Sequence, residues 1–136
     1  MNITANYGFK SLRTSTVLTN SYIITPVMGL STDDKGTPVI NNQLILYVDF
    51  TKGSLTTAEL IVEFSDDNVT WFQETYDNIT PSTGIVTETP IIRQFGATGK
   101  FRIPIRINDQ YIRVSVKGTG TVTGSLVTIG AILGYN

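Results

Sequence analysis

The residues of this chain that could do chemistry are carboxylates, lysines, tyrosines and hydroxyls, because the sequence has no cysteine and no histidine. Disulfides, thiolate or imidazole metal sites, and nucleophilic triads built on either residue are therefore excluded. Glycoside hydrolysis needs two carboxylates that face each other within roughly 5–10 Å. Glu59 and Glu63 share one side of a predicted strand but lie about 13 Å apart, so only a cross-strand partner such as Glu74 would complete a pair. We expect no enzymatic activity and no cofactor.

A glycine- and threonine-rich segment, VSVKGTGTVTGSLVTIGAIL at 114–133, raises the question of a phosphate site. A phosphate loop follows a strand and opens a helix whose N-terminal amides face the anion. Gly118, Gly120 and Gly124 match neither GxxxxGK(S/T) nor GxGxxG, and the residues after them have the pattern of a strand. The segment therefore predicts a turn between two strands, in which glycine takes a positive φ.

Two groups of residues could supply oxygen ligands to calcium, Asp33 with Asp34, and Asp66 with Asp67 and Asn68. The spacing of an EF-hand is absent, and Asx residues in turns hydrogen-bond their own backbone. We expect ordinary turns at both places and no metal site.

Strand patterns run along almost the whole chain and must position these groups. They are strongest at 43–51, 57–65, 69–76, 101–107, 111–117 and 126–133, and weaker at 14–20, 22–27 and 84–93. No helical periodicity exceeds one turn, and the connections are short and rich in turn residues. The sequence predicts a single domain over residues 1–136. Its fold class is all-β, an antiparallel β-sandwich of the jelly-roll or Ig-like kind with about eight or nine strands.

Three further details of the sandwich follow from the sequence. Pro104 occupies an outward position of FRIPIRI and has no N–H to donate, which predicts an edge strand. The segment 126–133 is apolar on both sides apart from Thr128, which predicts a central strand covered on both faces. Residues 29–42 and 77–84 are predicted to be irregular, and long loops often have functional roles.

The start of the chain allows two interpretations. Residues 1–13 form either an N-terminal arm that reaches a neighbouring subunit, with Tyr7 and Phe9 as its anchors, or the first strand of the protein's own sandwich. The opening residues MNITANYGFK lack the pattern of a secretory signal.

Charge is distributed unevenly along the chain. Nine of the 11 acidic residues lie in 33–77, and six of the 10 basic residues lie in 93–117. Strand alternation places five cations on an outward face: Lys100, Arg102, Arg106, Arg113 and Lys117. Either the acidic and basic regions neutralise each other within the fold, or this basic row contacts copies of the chain or an acidic partner. We expect no nucleic-acid partner, because Tyr111 is the row's single aromatic residue and no motif is present.

Two segments, LILYVDFTKGSLTTAELIVEFSDDNVTWFQE at 44–74 and FRIPIRINDQYIRVSVKGTGTVTGSLVTIGAIL at 101–133, resemble small virion structural proteins of tailed bacteriophages. In those proteins a strand ending in DxTKG leads into a hairpin of the type EFSxDxxxW, and a later YIRVxVKGTGT hairpin closes a β-sandwich. The resemblance covers nearly half the chain and leaves residues 2–43 unmatched. It implies a capsid decoration (cement) protein or a head–tail accessory protein, with no catalytic residue.

We therefore expect a virion subunit that is assembled in the bacterial cytoplasm and that contacts the major capsid protein, other virion subunits or its own copies. The expected contact residues are Lys100, Arg102, Arg106, Arg113, Lys117, Tyr7 and Phe9. The alternative is a carbohydrate- or receptor-binding module of a fibre or tail tip that uses Trp71, Tyr47 or Tyr76, because SxDxxxW hairpins also occur in sugar-binding sandwiches. No apolar stretch is long enough to span a membrane, so we expect no membrane partner.

Overall fold

A computed structural model describes residues 5–31, 38 and 41–135 of the chain. Every regular element among these residues is a β-strand, and every strand pair is antiparallel. The strands are β1 (Ala5–Val17), β2 (Ile23–Ile24), β3 (Met28–Gly29), β4 (Gln43–Thr51), β5 (Ala58–Ser65), β6 (Phe72–Gln73), β7 (Thr75–Ile79), β8 (Val86–Pro90), β9 (Arg93–Phe95), β10 (Gly99–Arg106), β11 (Tyr111–Gly118) and β12 (Leu126–Tyr135). None of the described residues belongs to a helix long and apolar enough to cross a membrane.

The strands form two large sheets and one small one. The four-stranded sheet has the order β1-β12-β4-β10. In the six-stranded sheet β11 pairs with β5; β2 and β3 lie along the other side of β11, and β6 and β9 lie along the other side of β5. The two-stranded sheet is the hairpin of β7 and β8, which is inserted in the chain between β6 and β9. The predicted all-β antiparallel fold is confirmed.

One hydrophobic core lies between the two large sheets. Alternate residues of β4 and β12 contribute side chains such as Leu46 and Ile129 from one sheet, and β5 and β11 contribute side chains such as Leu60 and Val114 from the other. These side chains are essentially inaccessible to water, as period-2 alternation requires for strands with one buried face. The two sheets therefore pack face to face as a sandwich, and their other faces point outward.

The strand positions predicted for Pro104 and for 126–133 are confirmed. Pro104 lies in β10, at the edge of the four-stranded sheet, where its missing N–H leaves no ladder bond unmade. β12 lies between β1 and β4 and is central. The expectation that β12 is covered on both faces is wrong, because its outward side chains Leu126, Thr128 and Ile132 are partly exposed while its inward side chains are buried.

The glycine-rich segment connects β11 to β12, as predicted. Gly120 and Gly124 have positive φ angles of 76° and 69°, which non-glycine residues rarely adopt. The nearby turn after β4 also depends on glycine. Gly53 has φ 60°, and a Cβ there would lie 2.6 Å from the carbonyl oxygen of Thr123. These two turns thus pack against each other through backbone that has no room for a side chain.

The segment between β5 and β10 differs from the sequence prediction. A single strand was expected at 69–76, but Val69, Thr70 and Trp71 belong to a loop, β6 has two residues, and the chain then leaves the sheet. Residues 77–84 were expected to be irregular, but they contain most of the turn and part of the first strand of the β7–β8 hairpin. The described residues form twelve strands rather than eight or nine, because the pattern at 84–93 divides into β8 and β9 and several strands have only two residues.

The start of the chain forms a strand of the protein's own sheet from Ala5 onward. β1 pairs with β12 along most of its length, including Phe9 with Ile132, and the register shifts at three places. Residues 5–13 are therefore part of the sandwich here. The contact of Tyr7 and Phe9 with a neighbouring subunit stays a prediction. Residues 1–4, and Asp33 and Asp34 with their proposed turn, lie outside the described residues.

Candidate functional site

The five cations predicted to form one row lie on two different sheets. Lys100, Arg102 and Arg106 are on β10 of the four-stranded sheet, whereas Arg113 and Lys117 are on β11 of the six-stranded sheet. Because the two outward faces of a sandwich point in opposite directions, a single basic row is wrong. Alternation predicted correctly that each cation points outward, but it contains no information on which sheet a strand joins.

On the six-stranded face the cations have acidic partners. Arg113 Nε lies 3.0 Å from Glu63 Oε1, and Lys117 Nζ lies 3.7 Å from Glu59 Oε2. Both glutamates stand directly across from their cations on β5. This is the neutralisation within the fold that the sequence left open as one of two interpretations, and it holds for this pair of strands.

Aromatic rings cover the same two cations. The guanidinium of Arg113 lies 4.3 Å from the centre of the Trp71 ring, and Lys117 Nζ lies 4.8 Å from the centre of the Tyr22 ring. Tyr22 also donates a hydrogen bond to Glu59 at 3.2 Å, and its pKa is raised by burial, by this bond and by the nearby carboxylate charge. Each cation is thus held between a carboxylate and a ring, which leaves little of it for a partner.

On the four-stranded face the cations are exposed. Arg102 and Arg106 form no ion pair with any described residue, and their cross-strand neighbours are Tyr47 and Gln43 rather than acids. Lys100 lies 3.8 Å from Asp49, but both side chains are largely in water, so this pair stabilises the fold very little.

The same face has a shallow hollow of about 350 Å³ above Gly130. It is lined by Tyr47, Asp49, Lys100, Arg102 and Thr128, among others, and by Gly130, which adds no side chain to it. A second hollow of about 460 Å³ lies beside Pro104 and Arg106. Unpaired guanidinium groups beside apolar surface are well suited to contact an acidic partner.

The β7–β8 hairpin is the most exposed region of the described chain. Nine of its ten strand residues are exposed, and the two strands pair only with each other. Seven of the ten large hydrophobic residues that are exposed in the described structure lie in the segment 69–92: Val69, Phe72, Tyr76, Ile79, Ile85, Val86 and Ile92. Four of them, Tyr76, Ile79, Ile85 and Val86, belong to the hairpin itself, and exposed apolar side chains close together are typical of an interaction surface. The sequence analysis missed this element.

The base of the hairpin is fixed to the sandwich. Arg93 donates two hydrogen bonds to Glu74, at 2.6 and 3.3 Å, and both side chains are mostly buried. Ile91 N–H bonds the Glu74 carbonyl, and the Gln73 side chain bonds the Ile91 carbonyl. The hairpin therefore has a firm attachment point, although most of its length is in water.

Two carboxylates stand opposite each other on the hairpin, Asp77 on β7 and Glu88 on β8. The pKa of Glu88 is raised because its carboxyl hydrogen-bonds to Asp77, and also because of lost hydration and the repulsion between the two charges. No lysine or arginine occurs in 75–90. Like charges directly across a strand pair are destabilising.

The turn after β5 has the chemistry expected of a turn. Asp67 Oδ1 accepts hydrogen bonds from Ser65 Oγ and from the N–H groups of Val69 and Thr70, at 2.8 to 2.9 Å. These bonds lower the pKa of Asp67 to about 2. Burial raises the pKa of Asp109, and the neighbouring Asp66 raises it further. Within the described residues no three Asp or Glu side chains come together to hold a metal.

The three glutamates considered for glycoside hydrolysis each have a cationic partner. Glu59 faces Lys117, Glu63 faces Arg113 and Glu74 faces Arg93. They therefore stabilise the outward surface of the six-stranded sheet and the attachment of the hairpin.

Neither a protein-family model nor a curated protein matches this chain. The function of the chain must therefore be inferred from its own surfaces. Two of them are candidates for a contact: the exposed β7–β8 hairpin, and the outward face of the four-stranded sheet, where Arg102 and Arg106 form no ion pair with a described residue.

Proposed function

We propose that this protein is a non-enzymatic structural subunit of a bacteriophage virion, most simply a capsid decoration or auxiliary protein. In this role it contacts the major capsid protein and neighbouring copies of itself. The observation that carries the proposal is the exposed β7–β8 hairpin with the residues that flank it, because the segment 69–92 holds seven of the ten large hydrophobic side chains that are exposed in the described structure. An element of this kind gains stability from a protein partner, because two strands alone are marginally stable in water.

The strand order supports a jelly roll as the finer topology. If β2 with β3, and β6 with β9, each count as one interrupted strand, the chain has eight strand positions besides the hairpin. In one sheet the order of positions is then 1-8-3-6, and in the other it is 2-7-4-5. This nesting, with the first position beside the eighth and the second beside the seventh, is that of two Greek keys folded into a jelly roll.

A jelly-roll fold alone does not distinguish a virion subunit from a carbohydrate- or receptor-binding module. Viral capsid proteins and lectin domains both use it, so function must be argued from surfaces. The apolar hairpin favours a protein partner. The resemblance of residues 44–74 and 101–133 to tailed-phage virion proteins supplies the setting of the proposal.

Co-expression tests the proposal. The gene is expressed in a bacterial host together with the genes that flank it, and assembled particles are separated on a density gradient. We expect the protein to sediment with particles and to be lost from them when residues 75–90 are replaced by a short glycine linker. A protein that stays at the top of the gradient, with or without particles below it, contradicts the proposal.

The second candidate function is carbohydrate or receptor binding, and one observation favours it. The hollow above Gly130 combines an aromatic side chain, Tyr47, with Asp49, Lys100, Arg102 and Thr128, and such a combination suits a sugar. Trp71 is less suitable, because Arg113 already lies over its ring. Tyr76 is half-exposed on the hairpin and remains available.

Calorimetric titration with a panel of oligosaccharides distinguishes the two functions. Saturable binding that is lost in Tyr47→Ala and kept in Tyr76→Ala establishes the hollow as a sugar site and makes a purely structural role wrong. Tryptophan fluorescence is not the appropriate readout, because the Trp71 ring stacks on Arg113 of the six-stranded sheet, whereas Tyr47 belongs to the four-stranded sheet.

A further inference from the structure

One face of the β7–β8 hairpin has an acidic end and an apolar end. Asp77 pairs with Glu88, and two residues further along the strands Ile79 pairs with Val86 on the same face. Ile79 and Val86 are 59% and 53% exposed, so this apolar pair has no cover in the fold. The hairpin itself has no cation that could relieve the repulsion between its two carboxylates.

The outward face of the four-stranded sheet has the opposite charge and a similar arrangement. Arg102 stands beside Tyr47, and two residues further along β10 comes Pro104. Pro104 stands beside Ile45, which in turn stands beside Ile132 of β12, so three apolar residues cross the sheet in one row. Arg106 follows after two more residues. The face is thus an apolar row with a guanidinium on each side that forms no ion pair with a described residue.

The two surfaces also have the same spacing. Two residues along a strand cover about 7 Å, which separates the acidic pair from the apolar pair on the hairpin. The same distance separates Arg102 from the row of Pro104, Ile45 and Ile132. A hairpin laid on this face can therefore place its carboxylates at a guanidinium while Ile79 and Val86 cover the apolar row.

We propose that the β7–β8 hairpin of one copy docks on the outward face of the four-stranded sheet of a second copy. The occupant is a second copy because this chain itself supplies both an acidic and apolar element that contains no cation and a basic and apolar face on which Arg102 and Arg106 form no ion pair with a described residue. The inference deepens the proposed function. The contact itself is argued from the two surfaces, and only its place in a virion rests on the proposed function.

The contact joins two different surfaces and is therefore heterologous. Each copy that donates its hairpin still offers its own sheet face to another copy, so the association continues until a ring closes or a filament forms. The six-stranded face is not suited to this role, because its cations are already held by Glu59 and Glu63.

Charge reversal on each surface tests the contact. One variant is Asp77→Lys with Glu88→Lys, and the other is Arg102→Glu with Arg106→Glu. We expect the wild-type chain to form species larger than a dimer in sedimentation velocity, and each variant alone to associate at least about tenfold more weakly. An equimolar mixture should restore assembly, because the basic hairpin of the first variant matches the acidic face of the second, and the remaining two surfaces are wild type.

Two single reversals serve as controls. Lys10→Glu changes an exposed cation on β1, which forms the other edge of the same sheet, and Asp66→Lys changes an exposed acid outside the hairpin. Both controls should assemble as the wild type does. Melting temperatures of all variants verify the fold, and the neutral double variant Asp77→Asn with Glu88→Gln replaces the reversal if the lysine variant is unfolded; it should associate more weakly than the wild type.

Several outcomes overturn the inference. They are a wild-type chain that stays monomeric across the concentration series, reversal variants that assemble like the wild type, and a mixture of folded variants that fails to restore assembly. Particle binding by a chain that is monomeric alone leaves the proposed function standing and removes only this contact. Self-assembly without any particle binding leaves this contact standing and contradicts the proposed function.

Discussion

The outward faces of the two large sheets carry similar cations in different surroundings. On the six-stranded face the side chains of Arg113 and Lys117 are only 23% and 28% exposed, because Glu63 and Glu59 stand across from them. On the four-stranded face Arg102 and Arg106 stand across from Tyr47 and Gln43 and remain in water. The residue on the neighbouring strand, rather than the cation's own strand, decides whether a charge stabilises the fold or is available to a partner.

The largest expected effect comes from removing the acids of the six-stranded face. Glu59→Gln with Glu63→Gln leaves Arg113 and Lys117 half-buried without a charged acceptor, so the free energy of unfolding should fall by about 2–3 kcal/mol. Urea denaturation followed by circular dichroism measures this loss.

The matched control is on the other sheet. Arg102→Gln with Arg106→Gln also removes two charges, but both are exposed and unpaired, so the free energy of unfolding should change by less than about 0.5 kcal/mol. Equal losses in the two double variants would mean that the two faces do not differ in the way described above.

The third largest effect is the different response of the two faces to ionic strength. Raising the ionic strength from 0.1 M to 1 M shortens the Debye length from ~10 Å to ~3 Å, so self-association through exposed arginines should weaken about tenfold. The half-buried pairs of the six-stranded face are screened much less, and the melting temperature should barely change. Sedimentation and thermal melts on the same samples check both statements, and an association constant that ignores salt contradicts the first.

A smaller effect is expected from the ring over Arg113. Trp71→Leu removes a cation–π contact of about 0.5–1 kcal/mol and should lower the free energy of unfolding by about that amount. Phe72→Leu is the control, because this neighbouring ring is 68% exposed and stacks on no cation in the described structure. A larger loss in the control than in Trp71→Leu would show that general apolar contact, rather than the guanidinium, holds the ring.

The smallest effect is a local pH dependence of the hairpin. The pKa of Glu88 is raised above its ordinary 4.5, so the folded hairpin binds this proton more tightly than the unfolded chain does. The ionised Glu88 beside Asp77 therefore destabilises the hairpin fully at pH values well above the raised pKa. This destabilisation disappears as the pH falls through that pKa towards 4.5. Amide exchange in β7 and β8 should slow over this window, beyond the intrinsic effect of pH on exchange.

Glu88→Gln should abolish that pH response. Asp67 serves as an internal reference of opposite sign, because its pKa is lowered to about 2 and its turn loses stability only as the pH falls from 3.8 towards that value. The same response in Glu88→Gln and in the wild type would show that the carboxylate pair is not its source.

Much of the sandwich could be predicted from the sequence, because period-2 alternation reports directly on burial. The buried sides of β5, β10 and β11 followed from this alternation, and the edge position of β10 followed from Pro104 alone. Alternation has no information on which strand lies beside which. For that reason Arg102 and Arg113 look equivalent in the sequence, although Glu63 pairs with only one of them.

The hairpin could not be predicted from the same signals. Residues 77–84 contain Asn78, Pro81 and Gly84, which are typical of a loop, and the strands on each side have no buried face to produce alternation. One signal was present in the sequence. β-branched residues stand on both sides of the turn, Ile79 before it and Ile85 and Val86 after it, as in an exposed hairpin.

The position of β12 affects how the chain folds during synthesis. Val17 of β1 pairs with Leu126, 109 positions later, and β12 lies between β1 and β4. While the ribosome is still making β11, the first strand and β4 therefore have no strand between them, and their apolar sides are exposed to other nascent chains. Folding of the four-stranded sheet must wait for β12, so chains that stop before Leu126 should be prone to aggregate rather than retain half of the sandwich.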